Sequence, residues 1–322
     1  MRKNGVSLKD IAKEVGVSTD AVSKALRDSN QISEETKKRI KKKAAEMGYA
    51  KNQSAVALKT GRSNNVLIFL NSLYNQYFSI MTTHLIKEIE NKGYRSTICF
   101  TEGFILDLNQ VNIAEVNQYA AVISLVEPTD DIVAAFKERN IPLYIVGIKP
   151  NQVYPNYAIT DDYSGGYKVG EYFAKKKYKK AAYVTNSPSE TSFRREQGFI
   201  DAVSTNCNKA YKSYSFEEYG DSYEKIVDSI EKENIDFIFC FSDYLGFIIR
   251  TLLHRKYHNY DCVIIGFDNI SDYIEVFEPL SSVASDIHQI SKDVVDHIIL
   301  SVNKKNIKKL RKTYPVSLNI KK

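Results

Sequence analysis

Residues 6–26 read Val6-Ser7-Leu8-Lys9-Asp10-Ile11-Ala12-Lys13-Glu14-Val15-Gly16-Val17-Ser18-Thr19-Asp20-Ala21-Val22-Ser23-Lys24-Ala25-Leu26. Leu8, Ile11, Ala12 and Val15 recur at i, i+3, i+4 and i+7, which predicts one apolar face of a helix. Gly16 stops that helix, and Val17 places an apolar side chain inside the turn. Ser18 suits the cap of a second helix, because its hydroxyl can accept a free backbone N–H. Ala21, Val22, Ala25 and Leu26 then form a second apolar stripe. Asp28-Ser29-Asn30 reads as a loop. Ser33 caps a third helix with Glu34 and Glu35 in its first turn, where the helix dipole favours carboxylates. Ile40, Ala44 and Met47 make its inner face, and Gly48 suits its end.

Two short helices joined by a tight turn with Gly, and braced by a third, make a helix-turn-helix. Such a unit sets its second helix in the DNA major groove, with the first residues of that helix at base edges. Ser18, Thr19, Asp20, Ser23 and Lys24 occupy those outward positions. Lys24 can donate to guanine O6 and N7, Thr19 can meet a thymine methyl or a base acceptor, and Asp20 can accept from a cytosine amine. Charge supports this reading. Residues 1–62 hold 15 Lys and Arg against 7 Asp and Glu, whereas the remainder holds 30 against 32. A basic segment on a near-neutral body is the footprint of a nucleic-acid binder. A small protein-binding three-helix bundle is the competing reading of the helices alone.

This stretch resembles the headpiece of the lactose/galactose repressor family, whose pattern runs roughly VTxxDVAxxAGVSxxTVSRVLN. Ile32-Ser33, Thr36, Ile40 and Met47-Gly48-Tyr49 continue the likeness. Ala21, Lys24 and Arg27 stand where the family has Thr, Arg and Asn, so a phosphate contact is lost at Ala21 and Arg27 can supply another. The resemblance implies a hinge helix over residues 52–58 that forms on DNA, between a headpiece of residues 1–50 and an effector-binding and dimerisation domain of residues 63–322. It also implies that Asn52 is among the DNA-binding residues, that Leu58 wedges between base pairs in the minor groove, and that Lys59 lies against the groove's negative potential. A plain linker over residues 51–62, with Leu58 packed on the core, is the alternative.

Beyond the polar run Gly61 to Asn65, apolar stretches alternate with amphipathic helices. Strands are expected at 66–70, 98–100, 121–125, 143–146, 181–184, 237–241 and 263–267. Helices are expected near 79–92, 130–139, 164–177, 190–203, 222–233, 244–256 and 287–303. Alternation with short loops predicts parallel α/β sheets in two lobes. The same family resemblance runs on through Asn75-Gln76-Tyr77-Phe78, Asp161-Asp162-Tyr163-Ser164-Gly165-Gly166 (where the family has Asp-Asn-x-x-Gly-Gly), Arg195-Glu196-Gln197-Gly198-Phe199, Phe241-Ser242-Asp243, Ile265-Gly266-Phe267-Asp268-Asn269-Ile270 and Pro279-Leu280-Ser281-Ser282-Val283. It implies the two-lobed fold of periplasmic sugar-binding proteins. The segment Thr101 to Tyr119 departs from it. The tail shows a strand-like Tyr314 to Leu318 and no leucine heptad, which favours a homodimer over a tetramer.

In open parallel sheets, ligands sit at the carboxyl ends of the strands. A sugar or sugar derivative needs forked donors and bidentate acceptors, which Arg and Asp provide. Arg195 and Asp243 are the expected effector contacts, with Phe78 as a flat platform and Asn75, Asp161 and Thr191 as further contacts. Phe216 and Tyr219 are candidates for an aromatic wall. Arg195 suits a phosphate or carboxylate as well as a hydroxyl, so the ligand class stays open.

Other classes find less support. No GxGxxG after a strand, P-loop or GxSxG is present, and the five histidines show no HExxH spacing. No cofactor or metal is expected. A transport protein of the same fold would carry a signal peptide and lack the basic headpiece. A regulator that senses a phosphorylated protein has no readable site. Without an 18-residue apolar run or a leader, and with Cys99, Cys207, Cys240 and Cys262 far apart, a cytoplasmic protein with reduced, buried thiols is expected. The partners expected are thus a palindromic double-stranded DNA operator, a small-molecule effector and a second copy of the chain.

Overall fold

The computed structural model describes residues 6–26, 28–49, 64–148, 156–186, 189–206, 210–215, 222–258, 260–303 and 307–321. Arg27, Asn52, Leu58, Lys59, Phe216, Tyr219 and Cys207 lie outside them. Contacts divide the chain into two compact units, Met1–Ser63 and Asn64–Lys322.

In the first unit, α1 spans Leu8–Val15, α2 Thr19–Ala25 and α3 Glu34–Glu46. Each starts where a side chain satisfies the free amides of a first turn. Ser7 and Asp10 form a reciprocal capping box, Ser18 accepts from the Ala21 N–H, and Ser33 accepts from the Thr36 N–H. Gly16 leaves α1 with φ 73°, a left-handed conformation that a side chain would strain. Ile11, Val22, Ala25 and Ile40 are fully buried together, and Ala12 and Ala44 close the core. Lys37, also buried, is neutralised by Glu34 at 2.7 Å.

The second unit opens with β1 (Asn65–Leu70), α4 (Gln76–Asn91), β2 (Arg95–Phe100), β3 (Ile105–Leu106), α5 (Ile113–Val116), β4 (Ala121–Ser124) and β5 (Glu127–Pro128). It continues through α6 (Asp130–Glu138), β6 (Leu143–Val146), β7 (Asn156–Thr160), α7 (Asp162–Lys175), β8 (Lys180–Thr185), α8 (Glu190–Asn206) and β9 (Ala210–Ser215). It ends with α9 (Ser222–Lys232), β10 (Phe237–Cys240), α10 (Asp243–Tyr257), β11 (Val263–Phe267), a 3-10 turn (Ile270–Asp272), β12 (Ser281–Ser285), α11 (Ile287–Asn303), β13 (Arg311–Tyr314) and β14 (Val316–Asn319).

Two six-stranded sheets result. The first runs β13-β7-β6-β4-β1-β2 and the second β14-β12-β11-β10-β8-β9. Every pair within them is parallel except β12 with β14. In both, the chain first adds a strand on one side of the opening strand and then builds outward on the other. That reversal leaves a crevice at the carboxyl ends of the strands. The backbone passes between the sheets three times: after Thr160 into α7, after Ser285 into α11 and at Pro315 between β13 and β14. A separate two-stranded pairing joins β3, inside the segment that departs from the family pattern, to β5 beyond it.

Strands β7, β9, β12 and β13 were not expected. Asn156-Tyr157-Ala158-Ile159-Thr160, Ser281-Ser282-Val283-Ala284-Ser285 and Arg311-Lys312-Thr313-Tyr314 carry too few apolar residues to read as strands; β9 and β13 are edge strands, whose outer side needs none. The strand expected over Tyr314 to Leu318 is corrected to two strands in different sheets. Pro315 has no N–H to offer a ladder, so the pairing breaks there. Of the cysteines expected to be buried, Cys240 is, whereas Cys99 and Cys262 are partly exposed; all three are free thiols. Among the described residues no helix is long and apolar enough to cross a membrane.

Candidate functional site

On the headpiece, Ser18, Thr19 and Asp20 are exposed at the start of α2, and Ser23 and Lys24 are half-buried one turn on. Lys24 Nζ rests 2.9 Å from Asp20 Oδ2. The cation expected to reach a base is thus held by a carboxylate on its own helix.

In the large unit, the strand ends converge on one guanidinium. Arg195 sits on α8 and is only 6% exposed. Its Nε donates to Asp162 Oδ1 at 2.9 Å and its Nη1 to the Phe241 carbonyl at 2.6 Å. Its Nη2 lies 3.7 Å from Asp268 Oδ1. The guanidinium plane is sandwiched by the Phe267 ring at 3.5 Å and the Phe241 ring at 4.8 Å. Burial works against the charge of Arg195, but Asp162 and Asp268 outweigh it and its pKa is raised. Burial also pushes both carboxyls up, Asp268 to about 6, against the pull of Arg195.

Helix packing makes this possible. α7 and α8 touch backbone to backbone through Gly166, Gly170 and Gly198. A Cβ on Gly166 would meet the Arg195 carbonyl oxygen at 1.8 Å, and one on Gly198 the Tyr163 carbonyl oxygen at 2.0 Å. So close an approach sets Asp162, on the first turn of α7, beside the Arg195 side chain.

The structure distributes the expected contacts as follows. Arg195 lies at the centre of the cluster. Asp243 is 1% exposed, and both its oxygens are engaged inside the protein. Oδ1 accepts from Ser282 Oγ at 2.5 Å and Oδ2 from the Ile270 N–H at 2.8 Å. It braces the loop that carries Asp268. Asn75 caps α4 by accepting from the Tyr77 N–H at 3.0 Å. Asp161 caps α7 through Ser164 N and Oγ. Thr191 is half-buried one turn before Arg195, and Phe78 packs against the first lobe's core, edge-on to Tyr77 at 5.7 Å.

Sequence reasoning passed over Tyr77, Asp162 and Asp268. The Tyr77 ring lies beside Gly147. Burial drives its hydroxyl pKa upward, with Asp268, Arg195 and Asp162 of the other lobe close enough to act on it. Asp268 follows β11 directly with φ 97°, and Asn269 behind it has φ 49° and a buried Oδ1 with no hydrogen-bond partner. Two left-handed non-glycine residues in succession mark a loop whose geometry the site demands. The apolar groove of about 530 Å³ on α9 and α10, lined by Tyr223, Phe247 and Leu252 among others, shares no residue with the cluster. Among the described residues no His, Cys, Asp and Glu cluster could hold a metal ion.

Asp243 carries a pH prediction. Burial lifts its carboxyl from 3.8 to about 8, with Ser282 and Ile270 pulling down and Asp268 pushing up. The folded state therefore keeps a proton that the unfolded chain has lost. The stability tied to that proton is full below the unfolded pKa and is lost as pH rises through about 8. Asp243→Asn imitates the protonated acid. Its urea midpoint should decline less than the parent's from mildly acidic to mildly alkaline pH; parallel profiles would refute the assignment.

The family model described as bacterial regulatory proteins, lacI family, matches residues 7–52. Over 323 residues the chain is 25% identical to the ribose operon repressor of Lactococcus lactis subsp. lactis (strain IL1403), covering 96% of this chain and 95% of that one. Among solved structures it is similar to the lac repressor dimer bound to operator and the anti-inducer ONPF, with TM-score 0.78 and 17% identity over 98% of each chain. It is also similar to a LacI family regulator from Enterococcus faecium with bound ribose, with TM-score 0.68 and 18% identity over 79% of this chain and 96% of that one. The capped helix-turn-helix of residues 7–52 thus matches the lacI family of bacterial regulatory proteins, and the whole chain is similar to repressors of that kind.

Proposed function

We propose that this chain is a transcriptional repressor, not an enzyme, whose hold on a palindromic operator is set by a small molecule bound between the two lobes. The observation that carries the reading is the buried Arg195, framed by Asp162 and Asp268 where the strand ends of a headpiece-bearing chain converge. An arginine fork beside a free-standing carboxylate suits vicinal hydroxyls, and Phe241, Phe267 and Tyr77 supply flat walls. The effector is a sugar or sugar derivative, in keeping with the ribose operon repressor and the ribose-bound relative. Two copies of the chain place two headpieces on two half-sites, which is why the operator is palindromic. Ligand shifts DNA affinity only by its differential affinity for the two lobe arrangements.

The test is DNA binding by the full chain to genomic fragments at fixed salt, with and without a panel of pentoses and hexoses. Selective binding to a palindrome, altered by one sugar, is the expected result. Binding that ignores both sequence and ligand would leave the headpiece a mere basic patch. Lys24→Ala should lower the preference for operator over unrelated DNA by roughly tenfold or more, because a base contact is lost. Loss of a phosphate contact would instead weaken all sequences alike, and competition titration separates the two.

A further inference from the structure

Asp162 stands where the family pattern has Asn, and it is the carboxylate nearest the pocket's cation. Its Oδ1 lies 2.9 Å from Arg195 Nε, held also by Thr160 Oγ1 at 3.2 Å, and the residue is 3% exposed. Resting on the reading of this cluster as the effector site, we propose that Asp162 is a specificity-determining residue: it neutralises Arg195, so that the pocket takes uncharged polyhydroxyl ligands and rejects their phosphorylated or carboxylated counterparts.

The geometry supplies the reason. One guanidinium faces two carboxylates, Asp162 in direct contact and Asp268 at 3.7 Å. The cluster therefore carries no positive charge to spare for an anion. The gap between Nη2 and Asp268 Oδ1 is too long for a direct hydrogen bond. An oxygen seated beside it has to accept from the arginine and donate to the carboxylate. A hydroxyl does both. A phosphate or carboxylate oxygen accepts only, and it would bring negative charge against Asp268 in a poorly screened site. With Asn at 162, Nε would keep an acceptor of the same shape while the cluster would lose one of its two negative charges, and with it much of the repulsion that an anion meets. The orphaned Oδ1 of Asn269, itself 1% exposed, adds another acceptor beside Asp268 and leans the same way, towards ligands that donate.

Full-length parent and Asp162→Asn are titrated calorimetrically at neutral pH with inorganic phosphate and with matched pairs: ribose and ribose 5-phosphate, glucose and glucose 6-phosphate. Asp162→Ser is a second variant that also lacks the charge, and Arg195→Gln in the Asp162→Asn background identifies the cation responsible. The parent is expected to bind a neutral sugar more tightly than its phosphate ester. Asp162→Asn should gain affinity for the ester or for inorganic phosphate by roughly tenfold or more, and Arg195→Gln should erase the gain. If neutral sugars bind both proteins but the ratio of neutral to phosphorylated affinity is the same in each, the role given to Asp162 is wrong while the effector site stands. A parent that prefers the ester overturns it equally. If no sugar or phosphate binds either protein, the effector-site reading fails and the proposal with it.

Discussion

Arg195→Ala should destabilise the large domain by about 3–5 kcal/mol, the usual cost of removing one partner from a buried ion pair. It should also abolish any response of DNA binding to the effector. The stability loss follows from what is left behind. Asp162 and Asp268 would remain buried without their cation, and the Phe241 carbonyl would lose its donor. Phe267 and Phe241 would face a void where a flat guanidinium had filled the space between them. A pH series separates these causes. Protonating the two carboxyls relieves the charge penalty but not the void, so the deficit against the parent should shrink towards acid pH without closing. Urea unfolding followed by the tyrosines of the large domain reads it directly. A deficit of under about 1 kcal/mol, the range of an exposed pair, would mean that Arg195 is not buried in solution as it is here.

Gly166→Ala should be nearly as harmful, and its sign is the informative part. Helix propensity alone favours Ala over Gly by about 1 kcal/mol, so a loosely packed α7 would be stabilised. The added methyl instead meets a backbone oxygen of α8 at 1.8 Å, and no rotamer change relieves that contact. The helices have to move apart. Overpacking of this kind costs about 1–3 kcal/mol and occasionally more, and a backbone clash belongs at the upper end. At roughly 2–4 °C per kcal/mol for a domain of this size, a calorimetric scan should show a lowered transition. Separation of α7 from α8 also draws Asp162 off Arg195, so sugar affinity should fall with stability. A raised transition temperature would show that the helix contact is slack.

How far the sequence discloses these features depends on what each residue's signal is made of. The headpiece was readable almost to the residue, because three short amphipathic helices with Ser7, Ser18 and Ser33 at their starts leave local marks that need no tertiary knowledge. Central strands such as β1 and β10 announced themselves as apolar runs, whereas β9 and β13, at sheet edges with polar outer faces, did not. Arg195 was legible through its place before Gly198-Phe199. Its true neighbours were not. Asp243 looked as able as Asp268 to reach a ligand, and only the fold shows that Asp243 spends both oxygens on Ser282 and Ile270. Tyr77 and Phe78 are adjacent in sequence and both pack against the first lobe's core, but one step along a helix turns a side chain by about 100°, and it is Tyr77 that feels the charge cluster.

The threefold passage of the backbone between the lobes has a consequence for the order in which a ribosome can finish them. The first sheet acquires β13, and the second acquires β14, only from residues 311–319. Neither lobe is complete until those residues have been made, although the headpiece lies ahead of both and is a compact unit of its own. A nascent chain can thus present a finished DNA reader long before it possesses a finished sensor. A stop codon just before Arg311 would strip an edge strand from both sheets at once, leaving β7 and β12 as bare edges open to pairing with other chains.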